Sequence, residues 1–417
     1  MRRIRLGLLG CGVVGGGLVD LVAKNHGLIV ERCGLDIVIT RALVRQLGKE
    51  RSVPLTTDPA EVVSASDVDI VVEVMGGTTL ARTYIEAALR AGKNVVTANK
   101  ALLAQVGQEL FKLAGTHGRC IGFEASVCAG LPVIGTLRQG LVGNQIESLL
   151  GIINGTTNYI LTRMAEEGLS QAAAIAQAQK LGFCEADPSL DIDGIDAAQK
   201  LVVLAELAFG VHVDLADVRV EGIRQIGAAD MQQAASLGYV IKNLALARRS
   251  EAGLALRVQS VLLEKTHPLA NVRNEFNAVL LRGDAVGDMV LEGKGAGALP
   301  TASAVLSDIV DVALREKPAY ARVLQQHQKT PDLPGRFYLR FPIVDQPGVI
   351  GFIATVLGTV GISISNAAAL LSQAEGDHAG NVMILTHEAQ EEALRQAVAQ
   401  IGEHPAMRGN PVMLRIL

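Results

Sequence analysis

The sequence contains no tryptophan, and aromatic residues make up only 3% of its 417 positions. That leaves almost no planar side chains on which bases or sugar rings could stack. Charge is also sparse, at 19%, and nearly balanced at a net −4. The basic residues are scattered, so no footprint for nucleic acid forms. Cysteine is scarce: five residues, at 11, 33, 120, 128 and 184, with no C-x-x-C pair. An odd number at these spacings argues against a disulfide framework or a structural zinc site and fits a reducing compartment. The opening "MRRIRLGLLGCGVVGGG" has the basic start of a secretory leader, but its apolar run is short and broken by glycines. The expectation is a cytoplasmic protein of two or three domains, with neither a membrane nor a nucleic-acid partner.

What is present begins with glycine. "IRLGLLG" has strand length and leads into Gly10-x-Gly12-x-x-Gly15, followed by the helical pattern "LVDLVAK". Strand, tight turn and helix start are the context a dinucleotide-binding loop requires. Gly10 permits the turn, Gly12 the approach of a pyrophosphate, and Gly15 close helix–strand packing. The phosphates then rest on free N–H groups at the helix start, by Val13 and Val14. A second strand, "LDIVITRALV", is followed by Arg45, Lys49 and Arg51, with no acid to hold a ribose 2′-hydroxyl. This basic set suits the 2′-phosphate of NADP better than NAD, although a solvated basic loop has the same composition. "DIVVEVMGG", "TYIEAALRAG" and "KNVVTANKALLA" continue the strand–helix alternation of a doubly wound parallel sheet. Gly76, Gly77, Thr97, Asn99 and Lys100 fall at strand C-terminal ends, where such sheets bind ligands.

The stretch "CEADPSLDIDGIDAAQK", residues 184–200, packs five carboxylates between apolar residues and ends on Lys200. A calcium loop is excluded because Ile195 stands at its fifth position and glycine comes too early. No histidine or cysteine accompanies the acids at transition-metal spacing. Asp196 and Lys200 are i and i+4 on one helix face. As an isolated surface pair they would do little. With Glu185, Asp187 and Asp191 ahead of them they form a polar pocket, acids for a substrate ammonium and a lysine to move a proton. Lys100, if near, would lower the lysine's pKa, while Asp196 would orient and raise it. In "NGTTN", Thr156, Thr157 and Asn158 read equally as helix-capping residues or as groups offered to a small polar substrate.

"VVTANKALLA", "FEASVCAGLP", "NGTTNYILTRM", "LGFCEADPSLDIDGIDAAQKL" and "GKGAGALPTASAV" together resemble homoserine dehydrogenases over residues 1 to about 316. The resemblance implies reversible hydride transfer between NADPH (NAD possible) and the terminal carbon of L-aspartate 4-semialdehyde, giving L-homoserine. It further implies Lys200 as proton donor, Lys100 between cofactor and substrate, and Glu185, Asp191 and Asp196 on the substrate. Gly182 and Gly297 would lie by the nicotinamide–substrate cleft. A sodium-type cation would sit on carbonyls of Glu124, Val127, Ala129 and Leu131. Cys128, Phe183 and Leu80 depart from the usual glycine, tyrosine and proline of that family. Phe183 thereby lacks a hydroxyl.

Residues 317–336 carry three prolines and little periodicity, as a linker would. After them the pattern β-α-β-β-α-β resembles an ACT regulatory domain. Asp345, Gln346, Pro347, Gly348 and Asn366 fall where such a domain binds an amino acid, with threonine the effector to suspect. Such a module can equally serve only to pair subunits, and a homodimer or homotetramer is expected. The reading is an α/β enzyme: a Rossmann-type domain at 1–125 completed by about 300–316, an α+β substrate and dimerisation domain at 126–299, and an ACT-like domain at 337–417. Its rivals are an acylating aldehyde dehydrogenase using Cys128 as thiolate and a non-catalytic sensor of nucleotide and amino acid.

Overall fold

The computed structural model describes residues 1–48, 52–315, 324–329, 334–371 and 379–417. Lys49 and Arg51, from the basic set, lie outside the described residues.

The first domain is a six-stranded parallel sheet of β1 (Arg2–Leu9), β2 (Leu35–Leu43), β3 (Leu55–Thr56), β4 (Ile70–Glu73), β5 (Asn94–Thr97) and β6 (Ile121–Gly122). The strand order is β3-β2-β1-β4-β5-β6, with Leu6 of β1 opposite both Ile39 and Ile70. This is the doubly wound dinucleotide order, whose direction reverses between β1 and β4 and opens a crevice there. Strands covered on both faces must be apolar almost throughout, and Leu6, Leu8, Val71, Val72 and Val95 are fully buried. Helix Val13–Cys33 packs Leu18, Val19 and Ile29 on one face, with Val305 and Ile309 of helix Ala298–Leu314 beside them. Helices Thr79–Arg90 and Lys100–Thr116 cover the other with Ile85, Leu89, Leu102 and Leu110. Helix Val13–Cys33 is long and apolar enough to cross a membrane, but here it covers a sheet.

Apart from a two-stranded pair described below, the remaining strands form one mixed sheet. Gly287–Lys294, Phe276–Gly283, Ile146–Ile152, Tyr239–Ser250 and Gly253–Glu264 are antiparallel neighbours in that order. Val412–Ile416 then joins Gly253–Glu264 in parallel, Val261 opposite Arg415 and Leu262 opposite Ile416. Through it the sheet continues into Arg336–Val344, Ala379–Thr386 and Ile364–Leu371. From Arg336 on, the elements run strand, helix, strand, strand, helix, strand. The C-terminal unit is joined to the central domain by its last strand, which hydrogen-bonds to Gly253–Glu264. The stretch read as a linker is likewise attached. Gln325 and Gln326 pair in parallel with Val211 and His212, and the His327 ring bonds the His212 carbonyl at 2.7 Å.

Helices Gly155–Glu167 and Ile195–Phe209 lie on the central sheet. The second begins at Gly194, whose left-handed φ of +84° turns the acidic stretch into the helix. It ends at Gly210, φ +68°, and buries Ala198, Leu201, Val202 and Ala205. The same helix phase that buries these residues carries Asp196 and Lys200 towards the first domain.

Candidate active site

At the crevice between β1 and β4, Gly10 has a φ of +105°, and a Cβ on Gly15 would come 2.3 Å from the Gly10 carbonyl oxygen. Glycine is therefore required at both. Around Gly12 no heavy atom lies within 4 Å of where a Cβ would point, so its backbone faces open space. The cleft, about 770 Å³, is lined by Gly10, Gly12, Arg45, Thr57, Gly77 and Tyr84 among others. Val13 stands exposed at its lip, while Val14 packs into the core below. Gly297, φ +115°, lies at the start of helix Ala298–Leu314, whose Ala298 carbonyl oxygen would be 3.0 Å from a Cβ on Gly17.

The floor of the cleft is fixed by Glu73, which is fully buried at the end of β4. Its carboxylate accepts from the backbone N–H of Met75 at 3.0 Å and Gly76 at 3.2 Å, and from the Thr97 hydroxyl at 2.6 Å. Thr97 Oγ1 accepts from the Asn99 N–H, and Asn99 Nδ2 donates to the Gly77 carbonyl at 2.7 Å. These bonds close a ring between the two loops, and Asn99 Oδ1 caps the helix that starts with Lys100. A buried carboxylate with several donors is well satisfied, so the loops hold their shape without a ligand.

Lys100 reaches out of the nucleotide domain to Asp196 of the central domain, Nζ to Oδ1 at 3.0 Å. Lys200 Nζ donates to the other oxygen, Oδ2, at 2.7 Å and to the Ile153 carbonyl at 2.8 Å. Asn154 Nδ2 bridges Asp191 at 2.7 Å and Asp196 at 2.8 Å, while its Oδ1 accepts from Thr157 N–H and caps helix Gly155–Glu167. Lys200 and Asp196 are buried, whereas Lys100 is partly open. Next to them lies a pocket of about 310 Å³ lined by Lys100, Gly182, Phe183, Glu185, Asp191 and Asp196 among others. The four carboxylates Glu185, Asp187, Asp191 and Asp196 face it, more negative charge than the two lysines offset.

Burial alone would push the Asp196 carboxylate up, but the two ammonium groups outweigh it and hold it well below the usual range. Burial would likewise lower Lys200, and the adjoining Asp196 carboxylate reverses this, leaving the ammonium above its ordinary value. Of the two opposed expectations for Lys200, raising by Asp196 prevails. Lys100 spends its charge on the same carboxylate, from the opposite oxygen, and the attraction at 2.7 Å dominates.

Thr156 donates its hydroxyl to the Phe183 carbonyl at 2.8 Å, which ties helix Gly155–Glu167 to the pocket wall. The capping residue is Asn154, not Thr156, Thr157 or Asn158. Asn158 points the other way: its Nδ2 donates to the Asn274 carbonyl at 2.9 Å and its Oδ1 accepts from Lys242 at 3.0 Å. Sequence reasoning missed Asn154 and the Ile153 carbonyl. A carbonyl has no side-chain signature, but asparagine just before a helical pattern is a capping signal that pointed to Asn154.

The loop 124–131 is strained at Cys128, φ +53°, and Ala129, φ +24°, two side-chain-bearing residues in the left-handed region that favours glycine. Among the described residues neither the Val127 nor the Ala129 carbonyl accepts a hydrogen bond from the protein, although both residues are buried. The Glu124 and Leu131 carbonyls accept from the Val127 N–H at 3.4 Å and the Val133 N–H at 2.8 Å, so the set holds two open carbonyls and two with a lone pair in use, hard oxygens of the kind a monovalent cation takes. Glu124 turns its side chain elsewhere, to the N–H of Ile134 at 2.8 Å and Gly135 at 2.6 Å. Cys128 is buried, and that burial pushes its thiol up to about 11, the opposite of a nucleophilic cysteine.

Two family descriptions match the chain: "Homoserine dehydrogenase, NAD binding domain" over residues 10–124 and "Homoserine dehydrogenase" over 132–310. A homoserine dehydrogenase from Synechocystis is 42% identical, covering 99% of both chains. The crystal structure of one from Thiobacillus denitrificans superposes with a TM-score of 0.92 at 40% identity, covering 100% of this chain and 99% of that one. A hyperthermophilic archaeal homoserine dehydrogenase solved with NADPH gives a TM-score of 0.64 at 28% identity, over 75% of this chain and 98% of its own.

Proposed function

The chain belongs to the homoserine dehydrogenase family, and from that premise we propose that Lys200 is its proton donor and that NADP is its preferred cofactor. It is an NAD(P)-dependent oxidoreductase interconverting L-aspartate 4-semialdehyde and L-homoserine. This sets aside the acylating aldehyde dehydrogenase and the non-catalytic sensor.

Hydride exchange with the terminal carbon is the chemistry NADPH supplies when bound. Gly10, Gly12, Gly15 and the helix start at Val13 would hold its pyrophosphate, and Arg45, in the same cleft, its 2′-phosphate. Lys100 and Gly297 would lie towards its nicotinamide end. The substrate ammonium sits among Glu185, Asp191 and Asp196, whose excess negative charge suits it, with Gly182 and Thr156 shaping the wall. The observation that carries the mechanism is the grip of one buried Asp196 on two lysines, at 2.7 and 3.0 Å. It keeps Lys200 protonated, oriented by the Ile153 carbonyl, with its remaining N–H free for the aldehyde oxygen. In reduction Lys200 gives that proton as alkoxide character develops; in oxidation it takes it back from the hydroxyl. Carbonyls of Glu124, Val127, Ala129 and Leu131 would hold a sodium-type cation and lock the loop beside Lys200.

The module from Arg336 on, with its β-α-β-β-α-β order, supports an ACT-like regulatory role. An amino acid such as threonine would bind near Asp345, Gly348 and Asn366, in a cytoplasmic homodimer or homotetramer serving threonine, methionine and isoleucine synthesis.

The test is steady-state oxidation of L-homoserine with NADP and with NAD, wild type beside Lys200→Ala. The mechanism requires kcat to fall about a hundredfold or more in the variant. Equal turnover would make Lys200 only a structural partner of Asp196.

A further inference from the structure

The turn between Asp191 and Asp196 is held from outside by residues 222–224. Ile223 N–H donates to the Ile192 carbonyl at 2.8 Å, and a Cβ on Gly222 would come 1.9 Å from that same oxygen. Arg224 forks onto Asp193, with NH2 to Oδ2 at 2.8 Å, and reaches Ser189 Oγ at 3.2 Å. One backbone bond and one planar fork thus fix the loop that carries both substrate-facing acids.

Both ends of the segment that supplies these groups are gripped by the C-terminal module. At one end, Arg219 meets Glu391 at 3.3 Å and Glu221 meets Arg395 at 2.5 Å. Glu391 is itself fully buried, with Arg257 of the central sheet on its other oxygen at 2.5 Å. At the other end, Arg340 forks onto fully buried Asp230 at 2.6 and 3.0 Å, and Tyr338 adds its hydroxyl at 3.1 Å. Arg340 also reaches the Gln225 carbonyl at 3.4 Å.

We propose that residues 219–230 are a strap through which the C-terminal module sets the position of the catalytic turn, with Arg224 as its positioning residue. The inference rests on the reading of Asp191 and Asp196 as substrate-facing groups. Buried, forked ion pairs have discrete arrangements rather than graded ones. A shift of the module that breaks either end therefore displaces the turn instead of being absorbed. Arg224 is exposed and contacts Asp193 and Ser189. After the Ser189 hydrogen bonds, its charge also lowers Asp187 of the pocket wall, so it acts through the turn.

The experiment uses the full chain. Arg224→Ala should lower kcat/KM for L-homoserine by roughly 10- to 100-fold, as a misplaced catalytic group does, chiefly through KM. NADP affinity, measured by calorimetry, should stay at the wild-type value, Arg224→Lys should recover part of the loss, and the reversed pair Arg224→Asp with Asp193→Arg should recover more. Hydrogen exchange followed by mass spectrometry should show residues 184–196 opening in Arg340→Gln as well as in Arg224→Ala, with residues 70–116 unchanged. Arg224→Ala within twofold of wild type would overturn the positioning role. Faster exchange of 219–230 in Arg340→Gln with 184–196 unmoved would overturn the strap. If instead Lys200→Ala turns over normally, the proton-donor reading fails while the strap still stands or falls on substrate KM and exchange.

Discussion

Replacing Asp196 by asparagine tests the centre of the mechanism, because one carboxylate answers two ammonium groups there. Asparagine keeps the shape and one acceptor oxygen but removes the charge. Two unit charges about 4 Å apart attract by about 4 kcal/mol at an effective dielectric of 20. Losing that attraction leaves burial to lower the Lys200 pKa, and Lys100, no longer neutralised, pushes in the same direction. The sign then differs between the two reactions. Reduction needs a protonated Lys200, so its rate in Asp196→Asn should begin to fall at a lower pH than in wild type, and loss of the orienting carboxylate should cost about a hundredfold at neutral pH. Oxidation needs a neutral Lys200, so wild-type oxidation should climb with pH well into the alkaline range. In the variant that rise should begin at a lower pH. The assay is kcat against pH in both directions at saturating substrate. A rise that stays at the same pH in Asp196→Asn would refute the claim that this carboxylate holds the proton on Lys200.

Arg45→Ala should weaken NADP by about 10- to 100-fold, the worth of a hydrogen bond to a charged group, and leave the KM for NAD within about twofold; equal losses for both would remove Arg45 from the 2′-phosphate. Lys242, buried against Asn158 and the Val272 carbonyl, has its ammonium pushed down to about 8 by burial from an ordinary 10.5. The unfolded chain therefore binds the extra proton between those values, and stability should rise across that window by up to about 1.4 kcal/mol per pH unit. Denaturant titrations of wild type and Lys242→Met at several alkaline pH values should differ in slope, the variant lacking the rise. Cys128, with its thiol near 11, should resist iodoacetamide at pH 8 in the folded enzyme while half-buried Cys33 and Cys184 label, and Cys128→Ser should keep most activity; peptide mapping and a rate measurement check both.

The nucleotide loop was legible in the sequence because backbone geometry leaves no alternative to glycine at Gly10 and Gly15. The i,i+4 relation of Asp196 and Lys200 was legible because helix geometry enforces it. Lys100 stood out as a strand-end lysine, but its partner did not, since 96 positions separate it from Asp196 and only the packing of two domains brings them together. That distance is also why its effect on Lys200 is not legible: which carboxylate oxygen a lysine reaches is not written in spacing. The loop 124–131, proposed to hold a cation, carries no side-chain pattern at all. Its mark is the positive φ of Cys128 and Ala129, visible only in three dimensions. The proline-rich stretch before Arg336 looked like a linker because its pairing with Val211 and His212 uses backbone groups that any residue has.

The shared sheet has a consequence for shortened forms of the chain. Ending it before Arg336 would bare the backbone of Val261 and Leu262, which now pair with Arg415 and Ile416, and leave Arg257 in an apolar setting without Glu391. Unpaired strand edges recruit other strands, so such a truncation would favour self-association. The role of the C-terminal module is therefore better probed by point changes within it than by deleting it.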